Sequence, residues 1–135
     1  MLRSQLEYGD LLIAIVGATI GSVGVYKQRS PANINQAIAA VRISDERLSS
    51  DFVCWFLKSS LGQAELDYLK RPVARANINL DEISQILIPI PPKEMQEQIL
   101  AKVQRGRELA QTLQSKATHV WHTAKVEFEK ALLGK

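Results

Sequence analysis

An apolar heptad pattern in the C-terminal third of the chain constrains the fold more than any other feature of the sequence. Apolar or small residues recur there in alternating steps of four and three for more than four heptads, with one missing step at Glu127. A repeat of this length is the condition for coiled-coil packing. The repeat consists of Ile99, Val103, Gly106, Ala110, Leu113, Ala117, Val120, Ala124 and Ala131.

The repeat predicts one long helix from about Pro92 to Leu133, roughly 60 Å in length at 1.5 Å per residue. Glu94 and Glu97 near its start and lysines near its end suit the helix dipole. Because a single helix of this composition is not stable alone in water, we expect it to pack against other helices. Its small residues would let a partner helix approach closely.

The preceding residues predict a small sheet with packed helices. Short apolar runs separated by turn signals indicate strands over residues 11–16, 23–27, 37–43 and 86–90. Their short connections favour antiparallel pairing. Ser49 and Asn79 are candidate helix caps, the first before an apolar face formed by Phe52, Phe56, Leu57 and Leu61, and the second with Glu82 in a capping box.

The expected fold class is therefore α/β of the α+β-like kind, with a mostly antiparallel sheet. Residues 1–91 form the globular domain and residues 92–135 form one long coiled-coil-forming helix. Trp55 is expected to face the sheet in preference to serving as a stacking platform, and Cys54 is expected to be a small core residue.

Charge and composition exclude several classes of protein. No run of apolar residues is long enough to span a membrane, and a single cysteine is consistent with a cytoplasmic protein. Residues 1–92 carry nine Lys/Arg and nine Asp/Glu, whereas residues 93–135 carry eight Lys/Arg and five Glu. The net charge of +3 therefore lies entirely on the predicted helix and does not by itself indicate a polyanionic partner.

We expect no catalytic, metal or cofactor site in this chain. The glycines between Gly17 and Gly24 have the wrong spacing for a phosphate loop, so a structural hairpin turn is favoured. His119 and His122 lack a third ligand nearby, and zinc needs at least three protein ligands. No nucleophile–base motif is present.

The strongest candidate for ligand contact is a loop-like stretch from Lys70 to Asn79. It contains residue types that contact DNA phosphates and base edges, namely Lys70, Arg71, Arg75 and Asn77. Lys27 and Arg29, at the tip of a predicted hairpin, form a weaker second candidate. The residues alone leave open whether these side chains bind DNA or are simply solvated.

Several short motifs occur in an order and spacing that resembles the DNA specificity subunits of type I restriction-modification enzymes. The match extends over nearly the whole chain and ends in a proline-rich start of the long helix. The motifs are GDLLI at residues 9–13, VGATIG at 16–21, INQAIA at 34–39, NINLDEI at 77–83 and IPIPP at 88–92, with Glu94 and Gln98.

The resemblance implies a function for each part of the chain. In that family, a target recognition domain reads half of a split DNA site, and two long helices pair antiparallel as a spacer that docks methyltransferase subunits. It implies that methylation and ATP-driven cleavage are carried out by the methyltransferase (modification) and restriction subunits. A full specificity subunit has two domains and two helices, so the chain is expected to correspond to the C-terminal part of one domain with its helix.

Two functions follow from these observations. The first is a DNA-binding specificity subunit, or a fragment of one, that forms a homodimer through its long helix. The alternative is an oligomerisation or adaptor module that binds a partner protein through a coiled coil and does not bind DNA.

Overall fold

The structure, a computed structural model, describes residues 5–70 and 77–134. It contains three short strands and four helices in these ranges. The elements in chain order are β1 (Leu11–Ala14), β2 (Val23–Val25), β3 (Ile38–Val41), α1 (Ser50–Lys58), α2 (Ser60–Leu69), α3 (Leu80–Ile83) and α4 (Lys93–Leu133). The predicted class of an antiparallel sheet, packed helices and a long C-terminal helix is confirmed.

β1 is the central strand of the sheet and pairs antiparallel with both β2 and β3. Leu11 lies opposite Val25 on one side and Val41 on the other. Residues 15–22 connect β1 to β2 as a hairpin loop, which confirms the structural interpretation of the glycines in this segment. The prediction that Lys27 and Arg29 lie at a hairpin tip is wrong, because β2 and β3 do not pair and both residues fall in the connection between them.

The hydrophobic core lies between one face of the sheet and α1. Alternation along β1 leaves Leu11 and Ile13 only 1% exposed, and Val53 and Leu57 of α1 are buried to the same degree. Removing a side chain of this size from water contributes about 1.5–3 kcal/mol. Cys54 is also buried in this core, as predicted.

The helical segment that begins after Ser49 is broken into two helices at Ser59. Ser49 caps α1 as predicted, through its side chain and the Phe52 N–H. Ser59 then ends α1 and caps α2, and its hydroxyl donates to the Phe56 carbonyl at 2.5 Å. The prediction that Leu61 shares the apolar face of Phe52 and Leu57 is wrong, because this break leaves Leu61 70% exposed.

The predicted fourth strand over residues 86–90 is absent from the described structure. Ile86 and Ile88 pack against the core, while Leu87 between them is exposed, so the segment keeps the alternation of a strand. Proline lacks the N–H that a ladder needs, and Pro89 lies inside the segment. The apolar pattern therefore reports burial of alternate side chains and not strand pairing.

One capping box and one buried amide organise the chain before and at the start of α4. Asn79 and Glu82 form the predicted capping box of α3. Gln96, in the first turn of α4, is 3% exposed. Its Nε2 donates to the carbonyls of Arg47 and Pro91 at 2.7 and 2.9 Å, and its Oε1 accepts from the Ser49 N–H at 3.2 Å.

The chain divides into two compact units, one up to Gln96 and the other from Glu97 onward. The first unit holds the sheet, α1 to α3 and the first turn of α4. The second unit is the remainder of the helix, which runs without interruption to Leu133.

Candidate nucleic-acid interface

The loop between β1 and β2 forms one end of the sheet. Gly17 and Gly21 both have φ near +90°, a conformation that favours glycine. The Gly21 N–H donates to the Ala14 carbonyl, and the Ser22 N–H donates to the Thr19 carbonyl, each at 2.9 Å. These bonds make the loop compact, and its exposed residues carry no acidic side chain.

The junction between α1 and α2 is fixed to this loop by Gln63. Its Nε2 donates to the Gly21 carbonyl at 3.1 Å and to the Leu57 carbonyl at 2.7 Å. The second bond satisfies a carbonyl in the last turn of α1, which has no partner within the helix. One side chain therefore connects the hairpin loop to the end of α1.

Two of the predicted DNA-contact residues lie at this same end of the sheet. Lys70 forms an ion pair with Asp67, and a Cβ placed on Gly21 would lie 3.6 Å from the Lys70 Nζ. Asn77 is exposed and forms an isolated antiparallel bridge with Val16. Lys70 and Asn77 are thus brought to the β1–β2 loop although they follow Gly21 and Val16 by 49 and 61 positions.

Lys27 and Arg29 lie at the other end of the hairpin. Lys27 follows β2, and its Nζ lies 2.7 Å from the Asp51 carboxylate at the start of α1 and 5.9 Å from the Tyr8 ring centroid. The hydrogen bond to Asp51 raises the pKa of Lys27. Arg29 is exposed. The two predicted groups of cations therefore do not form one continuous site. Arg71 and Arg75 lie outside the described residues.

Ion pairing distinguishes the lysines of the globular unit. Lys27 and Lys70 each share their charge with a carboxylate. Within residues 5–70 and 77–134, Lys58 has no carboxylate within 4 Å, and its Nζ lies 4.8 Å from the Trp55 ring centroid. Lys58 could not be selected from the sequence, because whether a lysine is paired with a carboxylate depends on tertiary contacts.

The buried carboxylate of Asp10 has a structural role. The Arg42 guanidinium donates to both of its oxygens at 2.8 and 2.9 Å, and the Glu7 N–H donates to Oδ2 at 2.8 Å. The side-chain hydrogen bonds from Arg42 lower the pKa of Asp10. With both oxygens paired inside the protein, this group is not available to a ligand.

The predicted seam of α4 is an exposed surface of the described chain. Ile99, Leu113 and Val120 are 37%, 56% and 67% exposed. Val103 is partly exposed. The alanines of the seam are also exposed, at Ala110, Ala117 and Ala124. His119 and His122 lie on this helix, and the described residues contain no group of three side chains that could hold a metal ion.

Comparison with known families gives the class of this protein. Residues 4–117 match the type I restriction modification DNA specificity domain. The match covers most of the chain, so the chain belongs to this family, and the resemblance drawn from its motifs is confirmed.

A curated relative shows how much of a whole protein the chain represents. The type I restriction enzyme EcoBI specificity subunit of Escherichia coli is 30% identical to the chain over 103 residues. The aligned segment is 76% of this chain and 22% of the relative. The chain thus spans less than a quarter of the length of the relative that it matches.

Among residues 5–70 and 77–134, no helix is both long and apolar enough to cross a bilayer.

Proposed function

We propose that the globular unit takes part in DNA recognition as part of a specificity subunit of a type I restriction-modification system. One observation carries the proposal: Lys70 and Asn77 lie at the same end of the sheet, against the β1–β2 loop, in a chain of the DNA specificity family. Lysine is suited to a phosphate, and the exposed amide of Asn77 has the donor and acceptor pattern that pairs with adenine.

The proposed contacts on DNA are Lys70, Arg71, Arg75 and Asn77, with Lys27 and Arg29 as a separate contact at the other end of the hairpin. Lys27 and Lys70 are ion-paired, so each would have to share or exchange its carboxylate when it meets a phosphate. Arginine needs no such exchange where it is unpaired, and its planar fork suits phosphate oxygens. In the complete protein this unit would read part of a split DNA target.

Replacing Arg71 and Arg75 with alanine tests the main part of this site. We expect the full chain to bind a fluorescein-labelled DNA duplex, and log Kobs to fall linearly with log salt. In the double variant this slope should be shallower by about 1.8, since each lost phosphate contact removes about 0.9. The measurement is fluorescence anisotropy over a sodium chloride series.

The matched control is Lys116→Ala with Lys130→Ala, which removes two charges from α4 and should leave the slope unchanged. A slope in Arg71→Ala/Arg75→Ala equal to that of the unmodified chain would remove this stretch from the site. Complete absence of salt-dependent binding by the unmodified chain would contradict the proposed function and favour an adaptor module.

We further propose that α4 pairs antiparallel with a second copy and acts as a spacer that docks methyltransferase subunits. The support is the exposed apolar seam, which continues from Ile99 to Ala131, about 50 Å at 1.5 Å per residue. Its alanines and Gly106 allow two helix backbones to approach closely. Methylation and cleavage would be supplied by the modification and restriction subunits, and the assembly would act on double-stranded DNA in the cytoplasm.

Charge introduced into the seam should dissociate such a dimer. We expect Leu113→Lys with Val120→Lys to give a monomer, because two cations would be buried against apolar side chains of the partner helix. Sedimentation velocity measures the mass directly. Gln111→Lys with Thr118→Lys adds the same charge to another face of the helix and should leave the dimer intact. An unchanged mass in Leu113→Lys/Val120→Lys would contradict the proposal that the seam forms the dimer interface.

A further inference from the structure

The end of the hairpin contains an open cleft that the proposed contacts above leave unassigned. It has a volume of about 420 Å³ and lies between the β1–β2 loop and the ends of α1 and α2. The residues that line it include no acidic side chain. They are Ile20, Gly21, Ser22, Val23, Lys58 and Gln63.

Lys58 supplies the cleft with a positive charge that is not shared with a carboxylate. Its ammonium lies 4.8 Å from the Trp55 ring centroid, a weak cation–π contact at an exposed site. This is enough to orient the side chain and too little to compete with an anion. Lys70, whose Nζ lies 3.6 Å from a Cβ placed on Gly21, adds a second ammonium beside the same loop.

Ser22 supplies a hydroxyl donor in the same cleft. Its side chain is exposed, and its hydroxyl forms no hydrogen bond with the described residues, although its N–H is used within the loop. Serine hydroxyls and lysine ammoniums are among the groups that proteins place on DNA phosphates. The neighbouring Gly21 has no side chain, which keeps the floor of the cleft open.

Gln63 fixes the geometry of the cleft. Its two hydrogen bonds join the Gly21 carbonyl, next to Ser22, to the Leu57 carbonyl, next to Lys58. The hydroxyl and the ammonium therefore belong to two segments that one partly buried amide connects.

We propose that this cleft binds one backbone phosphate of duplex DNA, with Lys58 as the charged contact and Ser22 as the hydroxyl donor. The inference rests on the proposed function and adds to it a contact that carries no sequence information. It also gives the VGATIG motif a place beside a binding site, since Ile20 and Gly21 line the cleft. Bound in this way, the phosphate would fix the register of the duplex relative to Asn77 on the same end of the sheet.

Removing the charge of Lys58 tests the inference. In the full chain, Lys58→Gln should make the slope of log Kobs against log salt shallower by about 0.9, the value for one phosphate. Lys93→Gln, which removes one charge at the first residue of α4, should leave the slope unchanged. The probe is a fluorescein-labelled duplex of random sequence, measured by anisotropy over a sodium chloride series, with thermal denaturation to compare the folding of each variant.

A second pair of variants reports on the cleft independently of Lys58. Ser22→Glu places a carboxylate in the cleft and should weaken binding several-fold, whereas Ser44→Glu adds the same charge after β3 and should not. If the unmodified chain binds DNA and both Lys58→Gln and Ser22→Glu bind as their controls do, the inference is overturned while the proposed function stands. If the unmodified chain shows no salt-dependent binding, the proposed function fails and this inference fails with it.

Discussion

Asp10, which directly precedes β1, is hydrogen-bonded to the residues that directly follow the other two strands. Its carboxylate pairs with Arg42, which follows β3, while its carbonyl accepts the Tyr26 N–H at 2.8 Å just after β2. Arg42 also reaches Glu7 at 2.9 Å. The hydrogen bonds from Arg42 favour the ionised form and outweigh burial, which opposes it, and the pKa of Asp10 is therefore lowered.

This pairing makes the stability of the protein depend on pH. Because the folded pKa of Asp10 lies below its unfolded value, the stabilisation is complete above the unfolded pKa, near 3.9, and is lost as the pH falls through the folded value. Asp10→Asn should lower the free energy of unfolding by about 2 kcal/mol at neutral pH, the scale of a hydrogen bond to a charged group. Urea denaturation at neutral pH measures this loss.

The same variant should also lose less stability than the unmodified chain on acidification from about pH 5 to pH 3, since the titrating group is gone. Glu46→Gln, which neutralises an exposed carboxylate, serves as the control and should follow the unmodified chain. Parallel pH profiles for Asp10→Asn and the unmodified chain would contradict this account of Asp10.

At the scale of elements, the junction between α1 and α2 is closely packed. Ser59 ends one helix and caps the next, so the two helices meet with no intervening loop. A Cβ on Gly62 would overlap the Phe56 carbonyl oxygen and the Leu57 Cα, and would lie 2.8 Å from the Phe56 carbonyl carbon. Glycine is needed here because of backbone contact and not because of its φ angle.

Gly62→Ala should therefore destabilise the protein even though alanine is the better helix former. We expect a net loss of about 1–2 kcal/mol, because an overpacking cost near the upper end of the usual 1–3 kcal/mol outweighs the roughly 1 kcal/mol gained in helix propensity. The midpoint of thermal denaturation by circular dichroism measures it. Gly24→Ala adds the same methyl group where nothing lies within 4 Å, and should change the midpoint little. Equal midpoints for the two variants would show that α1 and α2 move apart to admit the methyl group with no loss of stability.

The elements also show which sequence patterns determine structure locally. The Asn79 capping box and the Ser49 cap were predictable, because a cap depends on residues within one turn of helix. The break at Ser59 was not, since serine also occurs within helices and only its bonds to Phe56 and Gly62 reveal the cap. The segment 86–90 was misassigned because alternate burial against a core has the same period as a strand.

At the scale of the whole molecule, the fold class was predictable and the candidate site was predictable only in part. The heptad of α4 repeats often enough to identify a helix, and the order of five motifs identified the family. Lys70 and Asn77 could be selected by residue type. Lys58 could not be selected in this way, because its proposed role in phosphate binding depends on the absence of a nearby carboxylate and on Ser22, which lies 36 positions earlier in the chain.

The central position of β1 has a consequence for the order of folding events. Its partners are separated from it by chain segments of different length, eight residues (15–22) before β2 and 23 residues (15–37) before β3. Because closing a longer loop costs more entropy and local contacts form faster, we expect the β1–β2 hairpin to form first and β3 to join it later. The Arg42–Asp10 pair can form only when β3 joins, so its loss in Asp10→Asn would affect the addition of β3 and leave formation of the hairpin unchanged.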